Sequence, residues 1–226
     1  MRTFAVVPAY NEEKTVAGVV RGLLPAVEEV IVIDDGSADG TAAAAASAGA
    51  LVARHVLNRG QGAALKTGTV LALEHGADIV VHIDADGQHD PEAIRKLVAP
   101  IEAGEADIVY GSRFLGIEAE GMPASRRALL LLARQFNALF LGVPRTFTDP
   151  QSGLRALNAA AARAIDFRQD RMAHCSEILR LVAHSPLRSR EVPVRVRYSK
   201  ETLAKGNKAT DALGIVWQLL LGSMHR

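Results

Sequence analysis

Two carboxylates one residue apart, Asp84 and Asp86, close an apolar run at 79–83 and are followed at once by Gly87 and Gln88. Aspartates at that spacing can share a hard divalent cation, and oxygen ligands of this kind suit Mg²⁺ or Mn²⁺ together with a diphosphate. Alone, an Asp-x-Asp is a common acidic turn. Here two more polar clusters close apolar runs in the same way: Pro8-Ala9-Tyr10-Asn11-Glu12 and Asp34-Asp35-Gly36-Ser37. Three such endings favour a function, because ligands of open parallel sheets bind beyond the carboxyl ends of the strands. Other polar groups have plainer readings. His82 and His89 flank the aspartates, where surface or hydrogen-bonding roles are commoner than ligation. His174, Cys175 and Glu177 hold one Cys and one His, which do not make a zinc site, so helix packing is the expectation. Gly60-Gln61-Gly62 fits either a donor contact or a simple strand-to-helix turn.

The elements that would position these residues follow from periodicity. Apolar or β-branched runs predict strands at 4–7, 30–33, 51–56, 79–83 and 107–110. The second of them, Val30-Ile31-Val32-Ile33, is apolar at every position, as in a strand buried on both faces. Helical stretches alternate with them at 14–24, 42–48, 62–75 and 91–103, with Pro91 in a first-turn position. This rhythm implies an α/β fold with a mostly parallel sheet and helices on both faces. Further helices are expected at 124–141, 158–166 and 174–184. Val192, Val194, Val196 and Tyr198 alternate with Glu191, Pro193, Arg195 and Arg197, predicting an edge strand with one wet face. A lysine-bearing loop at 199–208 then leads to an amphipathic helix at 209–226.

Composition narrows the function. The chain has 226 residues, 49% hydrophobic and 23% charged, which reads as one continuous globular domain. Only 4% is aromatic, too little for a nucleic-acid stacking platform. A single cysteine excludes a disulfide framework and suits a reducing compartment. No apolar run approaches the ~18 residues of a spanning helix, and no signal peptide is expected. The charge is split. Residues 1–110 carry 8 Lys/Arg against 16 Asp/Glu, and residues 111–226 carry 18 against 9. An acidic half suits a metal, and a basic half suits an anion.

Read together, Val7-Pro8-Ala9-Tyr10-Asn11-Glu12-Glu13, Val32-Ile33-Asp34-Asp35-Gly36-Ser37, Asn58-Arg59-Gly60-Gln61-Gly62-Ala63 and Asp84-Ala85-Asp86-Gly87-Gln88 resemble the inverting glycosyltransferases of family two, with the GT-A fold. His89-Asp90-Pro91, Gly111-Ser112-Arg113-Phe114 and Asp149-Pro150-Gln151-Ser152-Gly153-Leu154-Arg155 narrow the likeness to the dolichyl- and polyprenyl-phosphate sugar synthases. The resemblance covers roughly residues 4–200 and implies roles. Pro8, Tyr10, Glu12 and Asp35 would line the nucleoside pocket, with Ala85 beside them. Asp84 would hold base or ribose close to the metal, and Asp86 and Gln88 would reach the metal. Arg113 would face the acceptor phosphate, with Arg126 or Arg127. Lys200 would lie over the donor diphosphate, with Arg197, Lys205 and Lys208 as alternatives.

The implied reaction moves a hexose from a nucleotide sugar, of GDP-mannose or UDP-glucose type, to a polyprenyl phosphate. A phosphate monoester is already nucleophilic near pH 7, since its second pKa is about 6. A hydroxyl acceptor would instead need a carboxylate base. Asp149 is the candidate base, although anchoring the turn at 151–153 is its plainer role. Nucleotidyl transfer would want a glycine- and lysine-rich loop early in the chain, which residues 8–16 lack. A non-catalytic nucleotide-sugar binder has no need of the Asp84, Asp86 and Gln88 set. The lipid acceptor implies a peripheral place on the cytoplasmic face of a membrane. Residues 122–143, whose apolar positions are flanked by Arg126, Arg127, Arg134 and Arg145, and residues 209–226 would lie on the lipid. The core or a second copy of the chain is the rival cover for these faces.

Overall fold

In a computed structural model of the chain, residues 1–88, 90, 92–116, 122–140, 142–144 and 146–196 are described, with backbone only at 125, 126 and 129. The expected loop at 199–208, the helix at 209–226, Pro91 and Tyr198 lie outside these residues.

Chain order is β1 (Thr3–Ala9), α1 (Val16–Leu23), β2 (Glu29–Asp34), α2 (Thr41–Ser47), β3 (Leu51–Arg54), α3 (Gln61–Glu74), β4 (Ile79–His82), α4 (Ala93–Glu102), β5 (Ile108–Ser112), α5 (Ala124–Phe140), β6 (Arg155–Asn158), α6 (Ala159–Ala164), α7 (His174–Ala183) and β7 (Ser189–Pro193). The strands form one sheet in the order β3-β2-β1-β4-β6-β5-β7. All pairs are parallel except those of β6, which runs antiparallel between β4 and β5. Sequence periodicity did not predict β6. Four residues with an arginine at their head carry no alternation to read.

Side-chain alternation builds the two layers. On β1, Ala5, Val7 and Ala9 face α1, α2 and α4, while Phe4 and Val6 face α3, α6 and α7. The run from Val30 to Ile33 on β2 divides its side chains between both cores, as its unbroken apolar character requires. Helix α1 turns Val16, Val20 and Leu23 inward, the i, i+4, i+7 stripe of an amphipathic helix. Strand β7 lies at the sheet edge as predicted. It ends at Pro193, although Val194 and Val196 remain buried beyond it.

Strand direction gathers the polar loops. The parallel strands bring residues 8–12, 34–37, 84–88 and 112–114 to one end of the sheet. Because β6 is reversed, its beginning lies at that same end and delivers residues 149–154 there.

Candidate active site

The first two loops are interlocked. The Ser37 amide donates to Asp34 Oδ1 at 2.9 Å, and the Asn11 amide donates to Ser37 Oγ at 2.9 Å. Asn11 Oδ1 in turn accepts from the Ala38 amide at 3.0 Å. Asn11 has φ 54°, the one non-glycine residue in the left-handed region among those described, and asparagine tolerates that region best. The bend leaves Tyr10 half-exposed at the loop crest, while Pro8 stays buried within β1. The Glu12 amide donates to Thr41 Oγ1, and its carboxylate accepts the Thr15 hydroxyl at 2.5 Å. Asn11, Ser37 and Thr41 carry the loop geometry, yet their partners lie 26 to 29 residues away in sequence.

Asp35 is nearly buried and accepts three hydrogen bonds. Its Oδ2 takes the Gly60 amide at 2.7 Å, and its Oδ1 takes the Arg59 amide at 3.0 Å and faces His55 Nδ1 at 2.7 Å. The residue expected to line the nucleoside pocket is therefore also the anchor of the 58–60 turn. That turn is a close crossing of two backbones. A Cβ on Gly62 would stand 2.1 Å from the Gln169 carbonyl oxygen, and one on Gly60 would stand 2.4 Å from that of Asp170. The Ala63 amide is already bonded to the Asp170 carbonyl. The glycines allow two backbones to meet.

Between them, Gln61 turns its side chain to the aspartates: Nε2 donates to Asp84 Oδ1 at 2.6 Å. Gly153 closes the other side of the same carboxylate, since a Cβ there would lie 2.9 Å from Asp84 Oδ2. Asp86 Oδ1 accepts the Gln88 amide at 3.0 Å in a tight turn, and Ala85 is buried beneath. Asp84, Asp86 and Gln88 thus share one short loop and are each part-buried. Among the described residues no three His, Cys, Asp or Glu side chains form a complete metal cage. An oxygen set of two aspartates and one glutamine fits Mg²⁺ or Mn²⁺ that keeps water and substrate phosphate in its remaining positions.

At the end of β5, part-buried Arg113 pairs with buried Asp149. Nε donates to Asp149 Oδ2 at 2.6 Å and Nη2 to Oδ1 at 2.7 Å, while the Arg113 amide adds 3.1 Å to Oδ2. The carboxylate is 1% exposed. The turn at 151–153 is held by the Asp149 main-chain carbonyl, which accepts the Ser152 amide, and not by its side chain. Glu191 was expected on the wet face of its strand. Instead it is half-buried, accepts the amides of Thr148 and Asp149, and has its pKa raised by burial.

Several predicted residues stand elsewhere. Arg127 is exposed on α5. The side chain of Arg126, together with His89, Arg197, Lys200, Lys205 and Lys208, lies outside the described residues. Glu177 accepts the amides of Arg168 and Gln169 and so ties down their loop. His174 and Cys175 are buried with their ring and thiol 3.4 Å apart. Beside them sits Arg155, fully buried, with Nη2 3.7 Å from Cys175 Sγ. Burial pushes the Cys175 thiol up, but the neighbouring His174, its hydrogen bond to the thiol and the Arg155 guanidinium outweigh that and bring the pKa down to about 7. His82 is buried under the aspartate loop. The Thr69 hydroxyl donates to the Leu65 carbonyl, so His82 Nε2 is the donor to Thr69, and burial holds the ring neutral.

The sheet order, the paired aspartates at the end of β4 and the strand-end loops around them define a GT-A glycosyltransferase. The chain belongs to glycosyl transferase family 2, whose model matches residues 4–161. It is 33% identical to the UDP-N-acetylglucosamine–dolichyl-phosphate N-acetylglucosaminyltransferase of Methanococcus voltae, over 99% of this chain and 96% of that one. It is 34% identical to the polyprenol monophosphomannose synthase of Mycolicibacterium smegmatis, over 78% and 69%. Among solved structures, glucosyl-3-phosphoglycerate synthase from Mycobacterium tuberculosis with Mn²⁺ and UDP-glucose aligns with TM-score 0.75 at 25% identity, over 97% of this chain and 76% of that one.

Proposed function

We propose that this glycosyltransferase moves a hexose, with inversion, from a nucleotide sugar to a polyprenyl or dolichyl phosphate. The observation that carries the choice of acceptor is the Arg113–Asp149 pair. A hydroxyl acceptor needs a carboxylate able to take a proton, and Asp149 is buried and committed to a guanidinium. A phosphate acceptor needs no base; it needs a cation, which Arg113 supplies. The named activities of the archaeal and mycobacterial relatives support the same acceptor class.

In this reading Tyr10 and Glu12 border the nucleoside, with Pro8, Asp35 and Ala85 forming the floor behind them. Asp84, Asp86 and Gln88 would hold Mg²⁺ or Mn²⁺, which when bound offsets the negative charge that develops on the departing diphosphate. The Mn²⁺ and UDP-glucose bound to the mycobacterial synthase support that assignment. Arg113, with Arg126 or Arg127, binds the acceptor phosphate and turns one oxygen toward the anomeric carbon. That oxygen forms the new bond as the bond to the diphosphate breaks. Lys200, or one of Arg197, Lys205 and Lys208, is proposed to cover the diphosphate.

No helix among the described residues is long and apolar enough to cross a membrane. Helix α5 instead exposes Leu131, Leu132, Leu139 and Phe140, with Arg127 on the same element, which supports peripheral binding to an anionic bilayer. The test is a screen of nucleotide sugars with Mn²⁺ or Mg²⁺ and a short polyprenyl phosphate, read by mass spectrometry. A lipid-linked sugar from one donor is expected. Sugar transfer to water or a glycan without any lipid product would overturn the reading.

A further inference from the structure

Arg113 is held by more than its ion pair. Asp149, its partner, donates its own amide to Glu191 Oε1 at 2.9 Å, and the neighbouring Thr148 amide donates to Glu191 Oε2 at 2.8 Å. The Thr148 hydroxyl stands 3.1 Å from both Glu191 oxygens, so it donates to that carboxylate. Its oxygen is then the acceptor for the Ser112 hydroxyl, 2.5 Å away. Ser112 Oγ in turn accepts the Phe114 amide at 3.1 Å. The residues on both sides of Arg113, and the residue it pairs with, therefore converge on one carboxylate of the edge strand.

We propose that Glu191 is a positioning residue for acceptor-phosphate binding, acting through Thr148 and Asp149 to fix the plane of the Arg113 guanidinium. This rests on Arg113 being the acceptor-phosphate ligand. Electrostatics alone would not place Glu191 here. A second carboxylate beside a site for an anion weakens the attraction of Arg113 for it. Geometry accounts for the placement. Three donors converge on Glu191, and three donors of Arg113 converge on Asp149, so neither carboxylate can turn without losing charge-assisted hydrogen bonds. A guanidinium already fixed in its bound orientation loses little freedom when a phosphate arrives.

The experiment is equilibrium binding of farnesyl phosphate to protein saturated with Mn²⁺ and nucleoside diphosphate, by calorimetry, in a double-mutant cycle. Glu191→Gln keeps the shape but sets an NH₂ group against a main-chain N–H. It is expected to weaken farnesyl phosphate roughly tenfold, with Mn²⁺-nucleotide affinity and turnover at saturating acceptor unchanged. In an Arg113→Lys background, which has no fork to orient, Glu191→Gln is expected to have no further effect. Thr148→Val removes only the hydroxyl arm and is expected to weaken binding by roughly threefold; it serves as the probe if Glu191→Gln does not fold. Unchanged farnesyl phosphate affinity in these variants overturns the inference. So does an equal loss in both backgrounds, the mark of a merely structural role. If Arg113→Lys itself leaves acceptor binding unchanged, the reading of Arg113 fails, and the inference fails with it.

Discussion

Asp149 shows how burial decides what a carboxylate can do. It is held by three donors of Arg113, and the proposed function gives it the part of a template for that cation. Asp149→Asn is therefore expected to lower kcat/KM for a polyprenyl phosphate about 100-fold, mostly through acceptor KM. A base would show the opposite split, with kcat falling and the acidic limb of the pH profile lost. Asp86→Ala is expected to abolish metal-stimulated turnover while leaving metal-free nucleotide binding in place, measured by calorimetry beside the assay. At this scale the sequence was legible where chemistry is local. Asp84, Asp86 and Gln88 lie within five residues and read as a unit. Gln61, Gly153, Asn11 and Glu191 did not, because each works on a partner 23 or more residues away. Gly153 belongs to the 149–155 motif, but only the fold sets it against Asp84.

Elements were legible where their periodicity was long. The β-branched run of β2 and the stripe of α1 declared themselves, whereas β6 is four residues long and begins with a buried arginine. Glu191 departs from its sequence pattern for a related reason: an edge-strand position that alternation assigns to solvent is covered by the loop that leads into β6. The 58–62 turn was ambiguous from its glycines alone, since a phosphate nest and a backbone crossing demand the same residue. Gly62→Ala tests the crossing. Its Cβ would collide with the Gln169 carbonyl, and a loss of roughly 1–3 kcal/mol is expected, read as a lowered Tm. Helix α5 makes a different kind of prediction. Leu132 and Leu139 are 67% and 63% exposed and lie two turns apart on one face. The Leu132→Ser, Leu139→Ser double variant is expected to bind anionic phosphatidylglycerol vesicles at least tenfold more weakly. Unaltered sedimentation with vesicles would remove α5 from the membrane surface.

For the whole molecule, the charge split along the chain does not become two separate bodies. β6 comes from the basic stretch and sits between β4 and β5 of the acidic one. Away from the site, this interleaving is fastened by Asp107. Its carboxylate accepts from Arg188 through Nε and Nη2 and from Asn158, joining the starts of β5 and β7 to the end of β6. The arginine holds the Asp107 pKa down at about 2 from its usual 3.8. A depressed carboxyl stabilises the fold fully above its unfolded pKa, and that stability is lost as pH falls through the folded value. Urea midpoints are expected to fall between pH 4 and 2 in the wild type, and less steeply in Asp107→Asn, which starts lower. The reversed strand also sets an order of events during synthesis. While the chain emerges from the ribosome, the first four strands can join as β3-β2-β1-β4, but β5 follows with no neighbour beside it. Its seat exists only once residues 155–158 have been made and have slid in against β4. Until then the growing protein carries an unpaired β4 edge, a place where nascent chains recruit chaperones or one another. The last loops of the catalytic end are thus assembled only after the acidic ones have waited, half-built, for their partner.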